Sequence, residues 1–336
     1  MRDLDNTNQS QVPVAVSPAS AHPVLDDVTQ EFLDYANGCG PVPTYMTDDG
    51  TRRFCAMQFS GPDEFLVMVE DISLPVGPVG SIDVRIVKPG NRPDKLPVLL
   101  YFPGCGWISG TRSTHDRFVR QLAASAEVAV LFIQYSHAPA ARFPTQIEEG
   151  CAVIDYLTGS ADIHGLDATR LAVGGDGTGA NIAAALCILA KRRKQAPIRF
   201  QLLLCPLTSD RMPTESSVAF AAGPWLTKPA LDTFIEAYHA EAPPQHDPLA
   251  FPLSAEIKDL QGMPPALIIT AENDMLRDEG EAYARRLVRA GVDVCATRYL
   301  ATIHDFLIID RIAETAAARA AMAQVQSELR RALVHS

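Results

Sequence analysis

The chain has no uninterrupted apolar run long enough to cross a bilayer, which excludes a helical membrane protein. It has no basic excess either. Its 29 Lys and Arg against 40 Asp and Glu give a formal net charge of −11, which argues against nucleic acid or an anionic membrane surface as a partner. The 7 cysteines are odd in number, scattered, and without the spacing of a metal site. They predict neither a metal centre nor a disulfide framework, but a reduced, cytoplasmic protein. Residues 1–22 have no apolar segment and no basic start, so they read as a polar, disordered tail rather than a secretion leader. No motif calls for an organic cofactor, and there are no internal repeats.

What is present is the rhythm of an α/β protein. At 336 residues and 47% apolar, the chain is long enough to bury a large core. Strand-length apolar runs occur at Ile82–Val87, Pro97–Phe102, Val128–Ile133, Leu171–Val173, Phe200–Leu204, Ala266–Thr270 and Val292–Tyr299. Between most of them, apolar residues fall at helical spacing, as at Ile147, Cys151 and Ile154 or Ile182, Leu186 and Leu189. Alternating strands and helices predict a mostly parallel sheet with helices on both faces. The reading is one domain over residues 23–336, with a helical cap from about 23–60 and 209–255 and a helix near Pro229–Tyr238. The basic run Lys191–Lys194 closes a helix, where cations complement the dipole.

Four local signals bear on chemistry. Leu171-Ala172-Val173-Gly174-Gly175-Asp176-Gly177-Thr178-Gly179 is a short strand entering a tight turn and then a helix. That is the setting of a nucleophile elbow, Gly-x-Ser-x-Gly, but the serine position holds Gly177. Upstream, Pro103-Gly104-Cys105-Gly106-Trp107 follows a strand and can aim backbone N–H groups at a developing oxyanion. Downstream come Glu272-Asn273-Asp274 and then Ile303-His304-Asp305-Phe306. Elbow, acid, histidine is the chain order of an α/β-hydrolase triad.

These motifs resemble those of the hormone-sensitive-lipase-like family of α/β-hydrolases, which includes many microbial carboxylesterases. The resemblance covers residues of about 80–310. The family's His-Gly-Gly-Gly-Trp appears as Pro103-Gly104-Cys105-Gly106-Trp107, and its Gly-Asp-Ser-Ala-Gly as Gly175-Asp176-Gly177-Thr178-Gly179. Tyr135-Ser136-His137-Ala138-Pro139, Gly223-Pro224-Trp225-Leu226-Thr227 and Asp247-Pro248-Leu249 also match. The resemblance implies the α/β-hydrolase fold, Asp274 orienting His304, His304 as general base, and oxyanion contacts from Gly104, Cys105, Gly106 and Thr178. It allows a homodimer through the edge strand at Val292–Tyr299.

Glycine at the elbow changes the expected activity. Removing the serine of such a triad costs roughly a millionfold in turnover. The leading expectation is acid–base chemistry without a covalent intermediate (elimination, dehydration, retro-aldol cleavage or cyclisation) on a small, partly apolar carbonyl compound. A non-catalytic small-molecule receptor, or pseudoenzyme, is the first alternative. Residual or Cys105-dependent ester hydrolysis is the second. Trp107, Phe220 and Trp225 are the candidate ligand-facing aromatics, with core packing an equal reading for each.

Overall fold

Val98, Leu100 and Phe102 pack into one hydrophobic cluster, whereas Leu99 and Tyr101, between them, pack into another. This two-residue period is that of a pleated strand covered on both faces. The computed structural model describes residues 23–38, 65–90, 95–209, 213–239 and 246–334. Its strands are β1 (Val67–Leu74), β2 (Ile82–Pro89), β3 (Leu96–Phe102), β4 (Ala129–Gln134), β5 (Leu166–Asp176), β6 (Phe200–Leu204), β7 (Ala266–Asn273) and β8 (Val294–Ile303). They form one sheet in the order β1-β2-β4-β3-β5-β6-β7-β8. β2 runs antiparallel to both neighbours, and every pairing from β4 to β8 is parallel.

The helices are α1 (Asp27–Gly38), α2 (Asp116–Ala126), α3 (Thr145–Ser160), α4 (Gly177–Arg193), α5 (Glu215–Ala219), α6 (Lys228–Tyr238), α7 (Ile257–Leu260), α8 (Arg277–Arg289) and α9 (Ala316–Leu333). α3, α4 and α8 cover one face of the sheet with the cluster that holds Val98, and α1, α2 and α9 cover the other. α4 is buried from Gly177 to Ala190, so it is apolar all round, and only its end is charged. There Lys191, Arg192 and Arg193 occupy the last turn, and Arg193 makes a two-pronged pair with Glu148 at 2.6 and 2.7 Å.

The seven apolar runs read from the sequence all overlap strands β2 to β8, with Val128 just ahead of β4 and Val292 just ahead of β8, and the sheet is mostly parallel with helices on both faces, as expected. β1 is an addition to that reading. Most of its residues are exposed, so it carries no apolar signal, and it is held by its pairing with β2. The predicted tail at 1–22 lies outside the described residues, as do 39–60 of the first cap segment and 210–212 and 240–245 of the second. The described parts of the two cap segments meet where Phe32 of α1 packs on Trp225, ring centroids 5.1 Å apart.

Candidate active site

β5 ends at Asp176 in extended backbone, and Gly177 turns into α4 with φ +49°. This left-handed value strains any residue that has a side chain. The turn is also sterically closed, because a Cβ at Gly179 would run into the carbonyl oxygens of Phe102 and Pro103. Gly177 itself faces open chemistry. A Cβ placed there would lie 3.2 Å from Nε2 of His304 and 4.0 Å from Oδ1 of Asp305. The elbow thus points its empty position at the imidazole.

His304 follows β8, and Asp274 follows β7. Their side chains meet with Nδ1 of His304 2.8 Å from Oδ2 of Asp274, both buried. The other oxygen of Asp274 accepts the Leu276 N–H at 2.9 Å, which fixes the carboxylate. Burial works against a charged imidazole here. The carboxylates of Asp274 and Asp305 outweigh it and hold His304 protonated well above its ordinary range.

The loop after β3 is clamped from three sides. Asp176 accepts the Gly104 N–H at 3.0 Å, Tyr135 donates its hydroxyl proton to the Pro103 carbonyl at 2.8 Å, and the Thr178 hydroxyl accepts the Trp107 N–H at 3.2 Å. Cys105, Gly106 and Trp107 are all left-handed, with φ of 66°, 70° and 60°. Three such residues in a row curl the backbone tightly around the end of α4. The first N–H groups of that helix have no intrahelical partner, and its dipole is positive at this end. The site therefore favours a developing negative charge on oxygen.

Between loop, helix and cap lies a narrow cleft of about 50 Å³. Its polar side is Cys105, Gly106, Gly177, Thr178, His304 and Asp305. Its apolar wall comes from Trp225, Leu226, Ala230, Leu231, Phe234 and Leu276. A wider groove of about 560 Å³ between α8 and β8 is lined by Arg285, Arg289 and Arg298, far from these groups.

The elbow strand and helix, the His304–Asp274 contact and the converging loop are the observations that decide the family. A profile described as alpha/beta hydrolase fold matches residues 99–308. The chain belongs to the α/β-hydrolase family. Its relatives there include carboxylesterases and other esterases. The carboxylesterase NlhH of Mycobacterium tuberculosis is 33% identical over 86% of this chain and 91% of its own. The esterase LipI of the same organism is 35% identical over 91% of this chain and 92% of its own. The crystal structure of a thermostable esterase from Pseudomonas putida superposes with a TM-score of 0.89 at 35% identity, covering 93% of this chain and 98% of that one. This protein is a carboxylesterase-like α/β-hydrolase.

In this hydrolase Cys105, Gly106, Gly177, Thr178, Trp225 and His304 border one cleft, with Asp274 buried behind the imidazole. Gly104 does not border it, because its N–H is turned to Asp176. Trp107 and Phe220 stand apart from it. The Trp107 ring is fully buried and stacks on Tyr238 at 4.0 Å, and Phe220 packs beneath the Arg277 guanidinium. Two site groups were not assigned from the sequence. Asp305 directly follows His304, and that adjacency of base and carboxylate was the available signal. Cys205 follows β6 and reaches the imidazole with its thiol, a contact between distant segments that leaves no sequence trace.

Cys205, Asp274 and His304 place one donor atom each within 4.8 Å of one another. They form a hydrogen-bonded cluster around the imidazole. Nδ1 is committed to Asp274, and burial pushes the Cys205 thiol up to about 11, so the sulfur keeps its proton at neutral pH.

Proposed function

We propose that this carboxylesterase-like protein has exchanged covalent catalysis for proton transfer. The position that would carry a serine is Gly177, and glycine has no atom to attack a carbonyl. The reaction we assign is elimination, dehydration, retro-aldol cleavage or cyclisation of a small, partly apolar carbonyl compound. His304, oriented by Asp274, carries the proton. The first turn of α4 and the Cys105–Gly106 loop receive the carbonyl oxygen. The observation that carries this reading is the intact 2.8 Å His304–Asp274 contact facing an elbow without a side chain. A scaffold that only bound a ligand would gain nothing from that pair. We further assign a small-molecule substrate, no nucleic-acid or membrane partner, and a reduced cytoplasmic setting. Among the described residues no helix is long and apolar enough to cross a membrane. A homodimer through the β8 edge belongs to the same proposal.

The test compares hydrolysis of a short p-nitrophenyl ester by the wild type and by Gly177→Ser. We expect background rates from the wild type and a gain of about a thousandfold or more from serine, a part of the roughly millionfold that losing such a nucleophile removes. A wild type that already hydrolyses the ester, at a rate serine does not improve, overturns the reading. One observation favours a second reading, ester hydrolysis through a thiol: Cys105 borders the same cleft as His304. That reading requires turnover lost on alkylation, protected by substrate, and absent from Cys105→Ala.

A further inference from the structure

Three buried carboxylates surround the elbow, and two of them are satisfied. Asp176 accepts from Tyr101 and the Gly104 N–H, and Asp274 from His304 and the Leu276 N–H. Asp305 differs. Its Oδ2 lies 3.4 Å from Nε2 of His304, but its Oδ1 is buried without a hydrogen-bond partner among the described residues. The side chain borders the cleft with only 9% of the residue exposed. It stands 4.0 Å from where a Cβ at position 177 would be. A backbone φ of +59° turns the carboxylate back over the imidazole of the preceding residue. Aspartate tolerates that conformation better than most residues. A buried, unsatisfied carboxylate oxygen is costly, and such groups gather at functional sites.

We propose that Asp305 is a catalytic base: its unpartnered oxygen, set in the space beside Gly177, takes a proton from the carbon next to the substrate carbonyl, and His304 supplies one to the leaving group. This rests on the proton-transfer reading above and names the substrate class, a β-hydroxy carbonyl compound with an apolar flank for Trp225, Leu231 and Phe234. Oδ1 of Asp305 accepts the proton on the carbon between carbonyl and carbinol. The electron pair first moves onto the carbonyl oxygen as an enolate, received by the Cys105–Gly106 loop and the first turn of α4. It then returns to form the new carbon–carbon double bond as the carbon–oxygen bond breaks, and the hydroxyl departs with the Nε2 proton of His304 as water. The proton on Asp305 then passes to Nε2 across the 3.4 Å contact, which restores the starting state. No oxidant or co-reactant is needed.

The electrostatics agree with this division of roles. Burial pushes the Asp305 carboxyl up to about 7 against the pull of His304, and Asp176 and Asp274 push the same way while His115 opposes them. Among the described residues Tyr101 on β3 and Cys205 after β6 also face it, and Cys105 borders the same cleft. A base that changes charge near neutral pH is suited to taking and returning a proton.

The test uses a β-hydroxy ketone with a phenyl group on the carbinol carbon. Exchange of the protons beside the carbonyl is followed by NMR in D2O, and enone formation by near-ultraviolet absorbance. Wild type, Asp305→Asn and Asp305→Gly are compared after each is shown to be folded by circular dichroism and thermal melting. We expect both variants to lose at least about a hundredfold in exchange. We also expect them to lose the rising limb of the pH–rate profile near neutrality, and added formate to restore exchange in Asp305→Gly alone. Exchange that survives both substitutions with the same pH profile overturns the role of Asp305 and leaves the proton-transfer reading standing. A loss that formate cannot rescue, with the pH limb unmoved, makes Asp305 structural and also overturns it. No exchange by the wild type overturns both.

Discussion

Tyr101 on β3 gives its phenolic proton to Asp176 at the end of β5, with 2.5 Å between the oxygens and both side chains buried. Burial and the Asp176 charge keep the Tyr101 hydroxyl protonated far above neutrality. The same carboxylate holds the Gly104 N–H and, at 3.2 Å, Nε2 of His115. One side chain of the elbow therefore fixes both the sheet beneath it and the loop beside it. Tyr101→Phe should cost about 1.5–3 kcal/mol, the range for a lost hydrogen bond to a charged group. Asp176→Asn should cost more, since the three donors lose their charged acceptor. Urea denaturation measures both, and equal stability of all three proteins would show that the contact is idle.

Asp305 and a restored serine compete for one nitrogen. Asp305 already stands 3.4 Å from Nε2 of His304, the atom a serine hydroxyl at position 177 must reach. It also helps hold the imidazole protonated, whereas a general base must be neutral. Gly177→Ser/Asp305→Gly should therefore exceed Gly177→Ser in p-nitrophenyl ester hydrolysis by about tenfold, the worth of one competing hydrogen bond. The acidic limb of its pH profile should also move to lower pH. A double variant no faster than the single one would mean that Asp305 does not hold the imidazole.

Glu279 on α8 accepts the N–H groups of Thr208 and Ser209 at 2.6 and 3.0 Å through one oxygen, Oε1. Burial nevertheless pushes its carboxyl from 4.5 to about 8. A folded-state value above the unfolded one means stability that is full below pH 4.5 and declines as pH rises toward about 8. Glu279→Gln keeps an oxygen for both N–H groups and removes the buried charge. Its thermal midpoint relative to the wild type should rise between pH 4 and pH 8, as read by melting curves across that series. A constant difference would place the ionisation elsewhere.

Substitution of Cys105, rather than its alkylation, separates the two catalytic readings. Cys105 is half-buried at the cleft and Cys295 half-buried on β8, whereas Cys151, Cys187 and Cys205 are buried. Burial pushes the Cys151 and Cys205 thiols to about 12 and about 11, and Cys187 higher still. Brief treatment of the native protein with iodoacetamide should modify Cys105 and spare those three, as peptide mass spectrometry reads. Its adduct would fill the small cleft, so alkylation should stop proton transfer. Cys105→Gly, which suits the φ of 66°, should retain turnover. Loss of turnover in that variant would turn the argument toward thiol chemistry.

How much of this was legible follows from where each signal originates. Strands β3 to β7 are covered on both faces, so burial forces continuous apolar runs into the sequence. β1 is exposed along most of its length and asks nothing of its side chains, which is why no pattern announced it. The elbow was legible because backbone clash at Gly179 demands glycine there, and the turn must sit between a strand and a helix. Trp107 stood in the right motif, yet its ring lies in the core against Tyr238, because a side chain's direction depends on packing from segments far away in sequence.

The sequence by itself determined the α/β layering, the carboxylesterase-like family, and the absence of a side chain at position 177. Local chemistry and chain order are enough for these. Only the tertiary structure decided that Asp274 and His304 meet at 2.8 Å, that the cleft is narrow, and that Asp305 turns toward it an oxygen with no hydrogen-bond partner among the described residues. Those outcomes depend on loops from β7, β8 and the cap converging at one sheet edge, and on a left-handed φ at a residue other than glycine. Neither leaves a periodic trace along the chain.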